Sequence, residues 1–217
     1  MQINADLHVH SNYSKDSLIT PRELVFYAKK RGLNAVAVTD HNQIEGSYKI
    51  AKETDFLVIP GMEVSSADGH IVALNLQDLI PKGLSARETV DRIHKASGIA
   101  IAVHPYAWFK GSLNTHVADA KFDAVETLNA SAFPFNHCKK KAGEIAQKLN
   151  LPCVGGTDAH YGPTIGYGYT VIDCEPNADA IVKAIVNGKC QPFGQPVPLT
   201  LNLERRYKLV KKRVSGA

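Results

Sequence analysis

Short apolar runs alternate with helical patterns along most of the chain. INADLHV, NAVAVTD, FLVIPGMEV, HIVALNL, GIAIAVH, DAVETLN, LPCVGGTD and GYTVID read as strands. Helices with clear start signals lie between several of them. Thr20-Pro21-Arg22-Glu23 offers an N-cap, a proline at the first helical position and a capping-box glutamate, and Gly32 supplies the stop. Ser85-Ala86-Arg87-Glu88 repeats the box ahead of Gly98, and Ile181, Ala184 and Ile185 mark the apolar stripe of a helix ending near Gly188. Such alternation predicts parallel strands covered by helices. Within strands, period-two reading from His41 puts Thr39, Ala37 and Ala35 on one face and Val36 and Val38 on the other. From His104, Ala102 and Ala100 would share the inner face while Ile99, Ile101 and Val103 meet the helices. Small, polar-tipped inner faces favour a small (β/α) barrel with its site at the C-terminal strand ends over an open sheet.

The polar positions carry the chemistry. In ADLHVHSNYSKDS (5–17), Asp6, His8 and His10 alternate with Leu7 and Val9, so the strand has an apolar face and a ligand-bearing one. Further ligand-type residues follow or open other strands: Asp16, Asp40-His41, Glu63, His70, His104, Asp158 and His160. A single HxH or Asp-His pair is weak evidence, since such residues also occupy surface strands and helix caps. Their joint occurrence at several strand termini points to metal, because a barrel gathers those termini. Mixed imidazole and carboxylate ligands suit Zn2+, Mn2+ or Fe2+ and exceed what one ion needs, so two or three divalent metal ions are expected. His94 is expected near a helix surface, and Gly155 and Gly156 to permit close packing inside the barrel rather than to cradle phosphate.

Composition then narrows the setting. At 217 residues, 44% hydrophobic and 21% charged, the chain suits one globular domain, with 1–200 as the barrel and 201–217 as a basic C-terminal tail. Cys138, Cys153, Cys174 and Cys190 form no CxxC pair, and MQINADLHVH lacks the features of a secretory signal. No stretch approaches a membrane span, so a cytoplasmic protein with ordinary thiols and no membrane partner is expected. The net charge of +4 is uneven: Glu204–Arg213 carries six basic residues and one acid. Such a tail either meets nucleic acid or forms a solvated helix face.

The motifs DLHVHSNYSKDS (6–17), VTDHN (38–42), HP (104–105) and GTDAH (156–160), with GMEVSSADGH (61–70), resemble the PHP (polymerase and histidinol phosphatase) domain family over nearly the whole chain to about residue 195. The resemblance implies an α/β fold, a distorted (β/α)7 TIM-like barrel, and a metal-dependent phosphoesterase using metal-activated water. It implies that His8, His10, Glu63 and Asp158 hold one ion, with Glu63 bridging to a second held by His70 and His104. Asp16, His41 and His160 would hold a third. Asp16 takes a position that is either Asp or His in such proteins, and its oxygen favours manganese there. Asp6 and Asp40 would orient the imidazoles. Lys110, His116 and His137 are candidates for leaving-group protonation or phosphate contact. The expected substrate is a phosphorylated small molecule or a nucleic-acid end, and Tyr106, Trp108, Phe109, Phe133 and Phe135 would stack a base or sugar or form local core.

Two rival readings stand beside this one, the first still a hydrolase and the second not an enzyme. An amidohydrolase-type barrel would cleave C–N bonds, but it typically bridges its metals with a lysine where this chain has Glu63. A non-catalytic metal-binding scaffold would bind metal yet leave every phosphoester untouched.

Overall fold

The computed structural model describes residues 1–214. The elements are β1 (Gln2–Val9), α1 (Pro21–Lys30), β2 (Ala35–Val38), α2 (Glu45–Glu53), β3 (Leu57–Ser65), β4 (His70–Leu74), α3 (Ala86–Lys95), β5 (Ile99–Ala102), β6 (Ala124–Asn129), α4 (Phe135–Leu149), β7 (Cys153–Gly156), β8 (Gly168–Asp173), α5 (Ala178–Val186), β9 (Cys190–Gly194) and α6 (Leu199–Val214). The strands form one sheet in the order β7-β6-β5-β4-β3-β2-β1-β8-β9. β1, β2 and β3 pair in parallel, as do β5, β6 and β7. The alternation expected from sequence breaks at β4 and β8, which run antiparallel to both their neighbours. Only a short loop joins β3 to β4, too short for the crossover a parallel pair needs, so a hairpin forms.

The sheet curls until β1 meets the chain just past β7. There Val9 bridges Ala159 in parallel, the His10 N–H donates to the Ala159 carbonyl at 2.9 Å, and the Asp158 N–H donates to the His8 carbonyl at 2.8 Å. The result is a near-closed, mixed-topology barrel. Both expected capping boxes are present: Thr20 with Glu23 opens α1, and Ser85 with Glu88 opens α3. Each cap of this kind contributes about 1 kcal/mol. Gly32 takes a left-handed φ of 70° after α1, whereas after α3 that position falls on Ser97 (φ 60°) rather than Gly98.

Two layers of core hold the barrel. Inside, Ala5 and Leu7 pack with Ala37, Ile59, Ile101 and Val154, and α5 closes this cluster with Ile181 and Ile185. Outside, Val36 and Val38 of β2 pack with Leu24, Ala28 and Ile50 of α1 and α2, as the period-two reading predicts. For β5 that reading is reversed. Ile99, Ile101 and Val103 fill the interior, while Ala100 and Ala102 meet Val90 and Ile93 of α3. Bulky branched side chains are what a barrel interior needs, and alanines on the outer face let a helix sit close.

The stretch expected to be a basic tail lies within α6, and its last three residues, 215–217, fall outside the described region. α6 is tied to the barrel mouth. Arg205 Nη2 donates to the Asp16 carbonyl at 3.1 Å, and Lys208 Nζ donates to the Tyr161 hydroxyl at 2.7 Å. No helix among the described residues is long and apolar enough to cross a membrane. The four cysteines form no disulfide.

Candidate metal centre

Five imidazoles converge on one carboxylate. Glu63, near the end of β3, has Oε1 2.9 Å from His70 Nδ1, 3.0 Å from His104 Nε2 and 3.6 Å from His8 Nε2. Its Oε2 lies 3.0 Å from His41 Nδ1 and 3.2 Å from His10 Nε2. Asp158 forms a second centre, with Oδ1 3.3 Å from His10 Nε2, 3.5 Å from His160 Nδ1 and 3.7 Å from His8 Nε2. Asp16 closes the mouth, its Oδ2 3.1 Å from His160 Nε2 and 3.7 Å from His41 Nε2. The structure therefore brings together all nine residues singled out as ligands.

Local backbone geometry aims these groups. A register shift between Asp6 and Val9 breaks the strict alternation of β1. Leu7 can then pack inside the barrel while His8 and His10 point to the site. His104 (φ 31°) and Asp158 (φ 57°) hold left-handed conformations that side chains seldom adopt, a concentration of strain typical of functional sites. His104 follows the inward-facing Val103, and its turn lets the imidazole face Glu63 where simple alternation would send it outward. Gly156 makes room for His8: a Cβ there would stand 2.6 Å from the His8 Cβ and 2.8 Å from Glu126 Oε1.

Behind the cluster lies a layer of orienting bonds. His8 Nδ1 meets Glu126 Oε1 at 3.0 Å, and Glu126 Oε2 accepts the His104 N–H at 2.8 Å and Asn129 Nδ2 at 2.9 Å. Asp40 accepts the Ser11 N–H and hydroxyl and the Ser14 hydroxyl; Ser14 Oγ in turn lies 3.4 Å from His10 Nδ1 and accepts the His41 N–H at 2.9 Å. Asp40 thus acts on the ligands through Ser14. Asp6 bonds no imidazole. Its carboxylate accepts the N–H groups of Thr157, His8 and Gly166, bracing the GTDAH segment against β1, and burial raises its pKa to about 6 despite those bonds. Glu126, the carboxylate that does orient His8, is absent from the sequence reading. Its one signal is an acid in the otherwise apolar strand DAVETLN.

A divalent cation fits this arrangement. Two donors each about 2.1 Å from one ion, at tetrahedral to octahedral angles, stand about 3.0 to 3.4 Å apart, close to the separations above. His8 Nε2, His10 Nε2 and Glu63 Oε2 are buried with no hydrogen-bond partner, a costly state unless something else satisfies them. Four overlapping sets of donor atoms within 4.8 Å of one another occur: His8, His10, Glu63; His8, His104, Asp158; His41, Glu63, His70; and His10, His41, His160. That is capacity for two or three ions. Electrostatics agree. Burial opposes charge on Glu63 and Asp158, yet the surrounding imidazoles, with Lys110 for Asp158, hold both well below the usual carboxylate range. Burial likewise opposes protonation of His8 and His10, but the facing carboxylates raise both, His10 to about 9. His160 is pushed down to about 4 by burial and the neighbouring His10. A metal would take the place of the protons that these carboxylates otherwise favour on the facing imidazoles of His8 and His10.

Of the substrate candidates, Lys110 reaches the site. Its ammonium pairs with Asp158 and lines a cavity of about 310 Å³ with His41, Glu63, His70 and Arg205. His116 and His137 do not. His116 pairs with Asp119 at 2.8 Å on the surface, and His137, in the first turn of α4, lines other grooves. Arg205 is the second residue missed from sequence. It reaches the cavity only because α6 folds back across 189 residues of chain, a contact with no local signature.

A barrel with imidazoles and carboxylates gathered at one mouth defines a metal-dependent hydrolase, an architecture suited to metal-activated hydrolysis of a phosphoester. The PHP domain profile matches residues 6–101, and the PHP-associated profile matches 137–190. An uncharacterized protein of Methanocaldococcus jannaschii is 40% identical over 141 residues, covering 59% of this chain and 82% of that relative. The chain belongs to the PHP domain family. A 5'-3' exoribonuclease of Haemophilus influenzae is 40% identical over 84 residues, 36% of this chain and 30% of the exoribonuclease. The fold also matches a two-domain protein from Bacteroides vulgatus containing a predicted PHP-like metal-dependent phosphoesterase. That match has a TM-score of 0.71 at 19% identity and covers 90% of this chain and 65% of the other.

Proposed function

We propose that the chain is a metal-dependent phosphoesterase acting on a phosphorylated small molecule or a nucleic-acid end. The observation that carries this reading is the buried Glu63 carboxylate at the centre of five imidazoles, with donor nitrogens left unsatisfied until a cation enters. Divalent ions held this closely acidify a water and neutralise the charge that builds on phosphoryl oxygens. The chain's own residues do the rest. Glu63 faces histidines of neighbouring donor sets, so one carboxylate would serve two ions. His8, His10, Glu63 and Asp158 would hold the inner ion, His70 and His104 a second with Glu63, and Asp16, His41 and His160 a third. The oxygen ligand Asp16 favours Mn2+ or Fe2+ at the mouth, and the imidazole-rich interior is equally suited to Zn2+. Glu126 fixes the His8 ring, and Asp40 fixes His10 through Ser14. Lys110 stands at the cavity wall, where an ammonium can meet a phosphoryl oxygen or give its proton to the departing alkoxide. The exoribonuclease resemblance supports a nucleic-acid end as one substrate class.

The test is hydrolysis of a generic phosphomonoester and a generic phosphodiester by metal-stripped protein, with Mn2+, Zn2+ or Fe2+ added back. Metal-dependent release of either supports the reading. Failure to release either at full metal loading contradicts it.

A further inference from the structure

Beside the metal cavity lies a second hollow of about 570 Å³, and the two share Phe109, Lys110, Asp158, His160 and Arg205 as wall. The rest of its wall mixes Trp108, Phe133, Leu199 and Leu203 with the polar Ser131, Asn202 and Arg206. Trp108 is 53% exposed and Phe133 58%, a large exposure for such rings. They are nonetheless held in place. The backbone N–H of Trp108 donates to the Phe133 carbonyl at 2.8 Å, and the two rings meet edge to face with centroids 6.0 Å apart. Edge-on packing of this kind leaves a ring face open for a flat ligand.

Arg205 is the hinge of the arrangement. Its Nη2 donates to the Asp16 carbonyl, its Nε is buried with no partner, and among the described residues no carboxylate pairs with it. The Asp16 and Asp158 carboxylates act on it from beyond ion-pair distance, so a half-buried guanidinium with donor capacity to spare stands at the junction of a metal cavity and an aromatic hollow, where an anion can be received. Arg206 adds positive charge along the same wall.

We propose that α6 supplies the substrate-recognition wall and that the substrate is a nucleotide, its phosphate held by Arg205 beside Lys110 and its base stacked on Trp108 and Phe133. This rests on the phosphoesterase reading above and adds the substrate class and the residues that select it. The hollow falls in the size range of small-molecule sites. Cationic side chains and exposed aromatic rings line the same hollow, as the phosphate and base of a nucleotide require.

Trp108 is the only tryptophan of the chain, so its emission reports on the hollow directly. The metal-loaded protein is titrated with a nucleoside 5'-phosphonate, which cannot be hydrolysed, and with glycerol phosphonate, which lacks a ring. The nucleoside compound should quench Trp108 saturably, and the glycerol compound should compete without quenching. Arg205→Ala should loosen the nucleoside compound by about 10- to 100-fold at unchanged metal per chain and unchanged melting temperature, with part recovered in Arg205→Lys. Absence of quenching at saturation, or equal affinity in Arg205→Ala, overturns the proposal. Metal-dependent turnover of a generic ester without quenching overturns nucleotide recognition alone. Arg205-sensitive quenching without turnover of any ester retains recognition and overturns hydrolysis.

Discussion

The centre has a dry half and an open half. His8, His10, Glu63, His104 and Asp158 are all buried, with Glu63 only 1% exposed. At the mouth, the side chains of Asp16, His41 and His70 are 46%, 29% and 23% exposed. Both halves use the same residue types, but their surroundings assign them different work. In the dry half every carboxylate faces imidazoles in low dielectric, and Glu126 and the Asp40–Ser14 pair lock the rings. That half should bind tightly and hold its geometry with or without substrate. The open half can exchange water and admit a phosphoryl group, which a catalytic metal position requires. Lys110 and Arg205 border the mouth, so the positive charge stands where an anion enters.

The contrast can be broken at graded cost. The largest effect should come from Glu63→Gln, because Glu63 serves both halves. Hydrolysis should fall by more than about 100-fold and at least one metal per chain should be lost, measured by steady-state rates with elemental analysis. Full turnover with a full complement of metal would remove Glu63 from its bridging role. Next comes Asp16→Asn at the mouth. It should lower turnover by about 10- to 100-fold while the ions of the dry half stay, so metal per chain drops by no more than one. Glu126→Gln should weaken metal affinity by about 10-fold or more with the ligands all in place, seen as a shift in the chelator concentration that halves activity. The smallest effects belong to His116→Ala and His137→Ala. Both lie outside the cavity, and turnover should stay within about twofold of the parent. A large loss in either would mean that the cavity extends beyond its present walls.

Much of this was legible along the chain, and the misses have physical causes. The β2 faces and the side chains that cluster at the barrel mouth could be read because alternation and strand-end position are local properties. β5 was misread because period-two extrapolation from His104 assumes an extended backbone, whereas φ at His104 is 31° and the turn re-aims its ring. Once that alternation fails, Ile101 and Ala102 exchange faces. Asp6 carried the expectation of an imidazole contact because it alternates with His8, but its carboxylate lies on backbone amides, that of His8 among them, and meets no ring. Glu126 was invisible because a single acid in a short strand reads as a solvent-facing position. α6 was legible as a basic segment and not as a wall of the site, since its bond to Asp16 depends on closure of the whole barrel.

The most direct measurement titrates metal-stripped protein with Mn2+ while bound metal per chain and hydrolysis of a generic phosphoester are followed in the same samples. The two-half account predicts that the first ion binds tightly and brings little activity, and that turnover rises only as the weaker sites at the mouth fill. Full activity at one ion per chain, or hydrolysis that persists in excess chelator, would contradict it.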